Sequence, residues 1–185
     1  MKILVMGPQG SGKSTQAKLL AEKFGYPHIE MGELLRSAAA DKSEGAGKIR
    51  DCLEKGELLP LEDTAMILKN RLSKPDCQNG FILDGYPRNI EQVKYFLPNF
   101  DKVFYLDLSD EEALKRLLKR SRDDDTPELI KRRLEIFHQE TKPIRAYFQK
   151  LGILKVVDGT PAIEEIFQDL LWRLTKLDGQ KQERN

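Results

Sequence analysis

Short apolar runs alternate with longer amphipathic stretches along this chain, and the alternation predicts a parallel sheet covered by helices. Ile3-Leu4-Val5-Met6 reads as a buried strand, because a continuous apolar run bounded by turn residues suits a strand packed on both faces. Four further short runs predict strands: His28-Ile29-Glu30, Gly80 to Asp84, Val103 to Asp107 and Ile153 to Val157. Behind the first strand, Ala17, Leu20, Ala21 and Phe24 recur at helical spacing. More helices are expected near 32–42, 46–55, 61–73, 89–97, 110–121, 127–150 and 161–177. Strands that alternate with helices imply an α/β architecture.

Local chemistry supports these boundaries. Ser109 and Asp110 can cap a helix beginning at Glu111, and Thr126-Pro127 supplies a cap and an N1 proline before the longest helix,. In that helix Ile130, Leu134, Phe137, Thr141, Ile144, Phe148 and Leu151 mark one core face, and Pro143 is expected to bend it,. No repeat or low-complexity tract interrupts the pattern. The polar tail 179–185 is expected to fray,.

With 185 residues, the chain reads as one domain with an ample core,. Charged residues reach 33%, yet 31 Lys+Arg and 30 Asp+Glu leave a net charge of only +1. There is therefore no global pull toward nucleic acid or an acidic membrane. Cys52 and Cys77 are far apart and outside any C-x-x-C pair, which argues against structural zinc and suits a reducing compartment,. Met1-Lys2 leads straight into a core strand with no leader pattern, and no apolar run is long enough to span a bilayer,. The expected location is the cytoplasm.

Candidate chemistry concentrates at strand ends. Gly7-Pro8-Gln9-Gly10-Ser11-Gly12-Lys13-Ser14 fits the phosphate-loop pattern G-x-x-x-x-G-K-[ST] between a strand and a helix,. Glycines let backbone N–H groups turn inward, the helix N-terminus adds its positive end, and Lys13 brings a mobile charge toward β- and γ-phosphates. A hydroxyl for a metal comes from Ser14 or Thr15. Phe81-Ile82-Leu83 ends in Asp84, followed by a turn at Gly85 and Pro87 that brings Arg88 over the same edge. Asp84 either holds magnesium, directly or through water, or caps the turn. Arg36, Arg88, Arg116, Arg120, Arg122, Arg132 and Arg133 offer the cationic donors that phosphoryl transfer requires, although spacing alone does not say which point inward,.

Together these stretches resemble the adenylate kinase family of nucleoside monophosphate kinases over nearly the whole chain. The resemblance lies in Gly7 to Leu20, Met31 to Arg36, Gly56 to Pro60, Gly80 to Gln92, Arg116 to Arg133, Val157 to Gly159 and Ile166-Phe167. It implies a three-layer P-loop kinase fold with a central parallel sheet of five strands. It also implies magnesium-dependent, reversible transfer from a nucleoside triphosphate, ATP above all, to AMP. By the same resemblance Gly7, Gly10, Ser11, Gly12, Lys13, Ser14, Thr15, Arg116 and Gly159 hold ATP, with Arg116 flanking the donor base. Met31, Arg36, Leu58, Gly85, Arg88 and Gln92 form the AMP site. Lys13, Arg88, Arg120, Arg122 and Arg133 act on the transferring phosphoryl group, while Arg132 resembles surface. A mobile 31–60 segment and a lid near 117–133 are implied to close over the nucleotides.

Three departures from the family pattern matter. Met31 replaces the usual Thr, Ser14 stands where Gly is frequent, and only Ser121 separates Arg120 from Arg122, a very short lid. Gln92 matches the position that hydrogen-bonds adenine; a carboxamide can donate and accept at once, whereas UMP/CMP kinases of the same fold tend to carry Asn. Those kinases are the nearest rival reading, followed by a nucleotide-dependent binding protein without transfer activity. Donor-base preference and oligomeric state are left open.

Overall fold

The computed structural model describes residues 1–41, 45–55, 59–120 and 126–182. Five strands are interleaved with helices: β1 (Lys2–Met6), α1 (Lys13–Phe24), β2 (His28–Glu30), α2 (Met31–Ala40), α3 (Ala46–Glu54), α4 (Leu61–Leu72), β3 (Phe81–Asp84), α5 (Ile90–Tyr95), β4 (Lys102–Asp107), α6 (Asp110–Arg120), α7 (Pro127–Lys150), β5 (Leu154–Asp158) and α8 (Ile163–Gln182). A short 3-10 turn at Pro75–Cys77, which the periodicity does not announce, precedes β3.

The strands form one sheet in the order β2-β3-β1-β4-β5, and every pairing is parallel. Side-chain alternation divides the core in two. Ile3 and Val5 of β1 join Ile82, Phe104, Leu106 and Val157 beneath α1 and α8, with Ala17, Leu20, Ile166 and Leu170. Leu4 and Met6 face the other way, toward Leu83, Tyr105, Leu35, Leu68, Ile144 and Phe148 on α2, α4 and α7. Each fully buried aliphatic side chain contributes about 1.5–3 kcal/mol, so both faces of β1 are closed. A third, smaller cluster of Leu108, Ala113, Leu117, Ile130 and Leu134 joins α6 to α7.

Thr126 caps α7 by accepting from Leu129 N–H at 3.3 Å, and Ser109 accepts from Glu112 N–H at 3.3 Å. Helix α7 continues through Pro143 to Lys150. Two ends of the expected apolar stripes lie outside the core. Phe24 is 37% exposed and stacks on Tyr26, and Leu151 at the C-cap of α7 is 52% exposed. Phe24 is the last residue of α1 and Leu151 follows the last residue of α7, both beyond the reach of the facing layer. Helix α8 extends to Gln182, past the expected end at 177.

The consequence for function is positional. Strands β1, β3 and β2 lie side by side and parallel, so the loops after Met6, Asp84 and Glu30 emerge along one edge of the sheet. Ligands of open α/β sheets bind at such carboxyl ends.

Candidate active site

The Gly7–Ser14 segment turns from β1 into α1 over that edge. Gly12, the N-cap of α1, has φ 81°, a left-handed conformation that glycine adopts without steric cost,. The first N–H groups of α1, at Lys13, Ser14 and Thr15, have no intrahelical acceptor and face outward with the positive end of the helix. Ser11 contributes differently. Its N–H donates to Pro8 O at 3.2 Å, and its hydroxyl is buried with no partner, tucked under Gly7. Ser11 therefore shapes the loop from within, and the open face is backbone.

Asp84 closes β3 and is 1% exposed. Its Oδ2 accepts from the Ser14 hydroxyl at 2.5 Å, while Oδ1 is buried without a partner. Thr15, by contrast, is exposed and lines a groove with Lys18 and His28. Of the two hydroxyls, Ser14 is the one beside Asp84. A buried carboxylate oxygen left unpaired is costly, and it is an acceptor suited to a cation or its water. Among the described residues no group of three or more His, Cys, Asp or Glu side chains could hold a metal ion by itself. One hydroxyl and one carboxylate instead fit magnesium, which keeps several waters and takes phosphate oxygens as its remaining ligands.

A cleft of about 470 Å³ opens beside this pair, lined by Gly7, Gln9, Lys13, Gly85, Arg88 and Arg133, with Glu140 and Thr141 from α7 on the far wall. Desolvation pulls the Lys13 ammonium below the ordinary lysine range, and the positive charges of Arg88 and Arg120 add to the pull; Asp84 and Glu30 oppose it. Arg88 is likewise lowered by desolvation, although its residue stays accessible to solvent and it remains cationic at neutral pH,. Lys13, Arg88 and Arg133 thus concentrate positive charge around one cleft, an arrangement that a polyanion relieves,. Arg132 is exposed while its neighbour Arg133 turns inward.

Beyond β3, Tyr86 and Pro87 are joined by a cis peptide bond, and the Tyr86 hydroxyl, a single donor, lies between the carbonyls of Gln92 and Phe96, tying α5 to the strand end. Gln92 is buried and its Oε1 accepts from Arg88 N–H at 2.7 Å. That bond fixes which end of the amide is carbonyl and leaves Nε2 as the free donor. Met31 is 1% exposed, packed in the core beside Gly85 rather than opening into the cleft. Arg36 is exposed, with its Nη2 3.4 Å from Glu30 Oε1.

Where α6 meets the turn after β5, Arg116 forms the centre of a polar knot. It donates to Glu112 Oε1 at 2.9 Å, Gly159 O at 2.9 Å and Thr160 O at 2.8 Å, with a longer contact to Gly10 O at 3.5 Å. Thr160 N–H donates to Asp158 Oδ1, which holds that carboxyl below the usual carboxylate range. Gly159 packs against β4, where an added Cβ would stand 2.8 Å from Asp107 O. Arg116 thereby links α6, the phosphate loop and the turn after β5. Arg116→Ala is expected to cost about 1–2 kcal/mol of stability in urea denaturation, as several charged hydrogen bonds disappear together. A midpoint equal to that of the parent would remove Arg116 from this structural task.

Leu58 and Arg122 lie outside the described residues. Gln9, Glu30, Glu140 and Thr141 line the clefts and were not singled out by sequence reasoning. Thr141 sits on the core stripe of α7, Gln9 occupies a variable position of the phosphate loop, and Glu30 and Glu140 carry no motif signal.

Comparison with known proteins agrees with this geometry. The adenylate kinase family pattern matches residues 5–153. The chain is 44% identical over 177 residues to the adenylate kinase of Bifidobacterium longum, covering 90% of this chain and 95% of that protein. It is 38% identical over 183 residues to adenylate kinase isoenzyme 1 of Gallus gallus, covering 95% and 94%. To the adenylate kinase of Trichodesmium erythraeum it is 34% identical over 189 residues, covering 96% and 99%. A phosphate loop on β1, an acid at the end of β3, a cation-lined cleft and similarity along nearly the full length converge on one assignment: the chain belongs to the adenylate kinase family.

Proposed function

We propose that the protein transfers the terminal phosphoryl group of magnesium-bound ATP to AMP, reversibly, giving two molecules of ADP. The observation that carries this reading is the cleft where Lys13, Arg88 and Arg133 meet at the sheet edge, next to the Ser14–Asp84 pair. The loop N–H groups and Lys13 hold the donor phosphates. Arg88 and Arg36 hold the acceptor phosphate, and Arg120, Arg122 and Arg133 surround the group in transit. Ser14 and Asp84 would hold magnesium or its waters, and the ion, when bound, neutralises charge on the donor phosphate oxygens. No covalent intermediate on the protein is required, because alignment, charge stabilisation and exclusion of water suffice.

Residues 1–185 act as one domain in this reading, with the 31–60 segment and the short lid near 117–133 closing over the substrates. The free thiols of Cys52 and Cys77 suit a cytoplasmic setting,. Among the described residues no helix is long and apolar enough to cross a membrane.

AMP is favoured over pyrimidine acceptors by Gln92, whose Nε2 donor remains available once Oε1 is taken by Arg88 N–H. Gln92→Glu keeps an acceptor for Arg88 and loses the donor to the base. It is expected to lower kcat/KM for AMP by about ten- to a hundredfold, the effect of one unmade hydrogen bond in a dry pocket. UMP and CMP should lose less. An acceptor panel on this variant tests the assignment, and equal losses for all acceptors would exclude Gln92 from base recognition.

A further inference from the structure

We infer that Glu30 is a resident anion on Arg36, displaced by the acceptor phosphate, and that this carboxylate thereby sets the affinity for AMP. The inference rests on the reading of Arg36 as a clamp for that phosphate. Glu30 ends β2 and pairs in register with Asp84, so its carboxylate stands at the active edge of the sheet. Its charge reaches Lys13, raising the proton affinity of that ammonium. Arg36, from the second turn of α2, folds back across Gly32 to reach it. A Cβ on Gly32 would lie 3.2 Å from Arg36 Nη1 and 3.5 Å from Glu30 Oε1, so the pair rests directly over that glycine.

The contact has the character of a parked pair rather than a rigid brace. It is a single contact of 3.4 Å from Nη2 to Oε1, with the Arg36 side chain 65% exposed. Glu30 makes no capping hydrogen bond to α2 although it occupies the N-cap, so the helix end does not hold its carboxylate. A phosphate offers more charge and more acceptor oxygens to a guanidinium than a single carboxylate oxygen does. The two anions also repel each other on one guanidinium. Binding of AMP therefore exchanges one partner of Arg36 for another, and the affinity is weaker than it would be with a neutral residue at position 30.

The test is equilibrium binding of AMP and of adenosine, which lacks the phosphate, to the parent, Glu30→Gln, Arg36→Ala and the double variant. Glu30→Gln is expected to lower the Kd for AMP by about three- to tenfold, combining a lost competitor with lost repulsion. The Kd for adenosine should stay within about twofold, and the gain should fade near 1 M salt, where surface charges are screened. In the Arg36→Ala background most of the gain should disappear, since no exchange remains. Unchanged or weaker AMP binding by Glu30→Gln would overturn the inference, as would equal tightening of AMP and adenosine. Failure of the parent to convert AMP to ADP would instead defeat the acceptor reading itself, so the two failures are distinguishable.

Discussion

Replacement of Lys13 by alanine is expected to reduce kcat by about 10²-fold or more, the typical loss when one preorganised electrostatic donor is removed from a phosphoryl-transfer site. The folded protein should survive the change. Lys13 is the first residue of α1, directly after the phosphate loop, and lies outside all three apolar clusters. Its ammonium is destabilised by desolvation and by the neighbouring charges of Arg88 and Arg120. The lowered proton affinity means that the charged lysine opposes folding slightly at neutral pH, when the unfolded chain holds the proton more readily. Lys13→Ala should therefore melt at or above the temperature of the parent while turning over far more slowly. A variant that retains near-parental kcat would remove Lys13 from the mechanism. One that is inactive because it unfolds would contradict the placement of Lys13 outside the core.

The second large effect is expected at Asp84. Asparagine there is nearly isosteric and still offers an oxygen to the Ser14 hydroxyl, so β3 and α1 remain joined. The lost element is the negative charge on a carboxylate whose Oδ1 has no protein partner. Removal of a charged group that holds a metal or orients its waters typically costs about 10–100-fold in metal affinity or activity. Asp84→Asn should accordingly need far more magnesium for half-maximal rate at fixed ATP. Direct titration with Mn²⁺ in the presence of ATP, read by its paramagnetic signal, should show weaker retention of the ion on the protein–nucleotide complex. Identical magnesium dependence and identical Mn²⁺ retention would show that Asp84 is only the cap of its turn.

Much of this architecture was legible in the residues because the physical signals were local. The five strands lie within one residue of their expected positions, since all but the short β2 are apolar-rich runs closed by a polar or turn residue. The phosphate loop was legible because only a glycine-rich turn at a helix start presents so many free N–H groups. Packing between elements was not written in any one segment. Phe24 follows the periodicity of α1, yet the helix ends there and no facing layer covers the ring. Met31 stands in a stretch that resembles the family's monophosphate site, while its side chain lies among the core residues. Gln92 carries a motif signal, but only the fold shows that Arg88 N–H occupies its carbonyl. Glu30 belongs to no motif, and its contact with Arg36 depends on the path of a side chain over Gly32.

The most direct test of the central claim is a steady-state acceptor panel of AMP, UMP, CMP and GMP with the unmodified protein, ATP and excess magnesium, following nucleoside diphosphate formation. The account predicts two ADP per ATP and AMP consumed, with kcat/KM for AMP at least about tenfold above that for UMP or CMP, as one satisfied base hydrogen bond in a closed pocket implies. UMP or CMP turned over as efficiently as AMP, or no diphosphate formed from any acceptor, would contradict it.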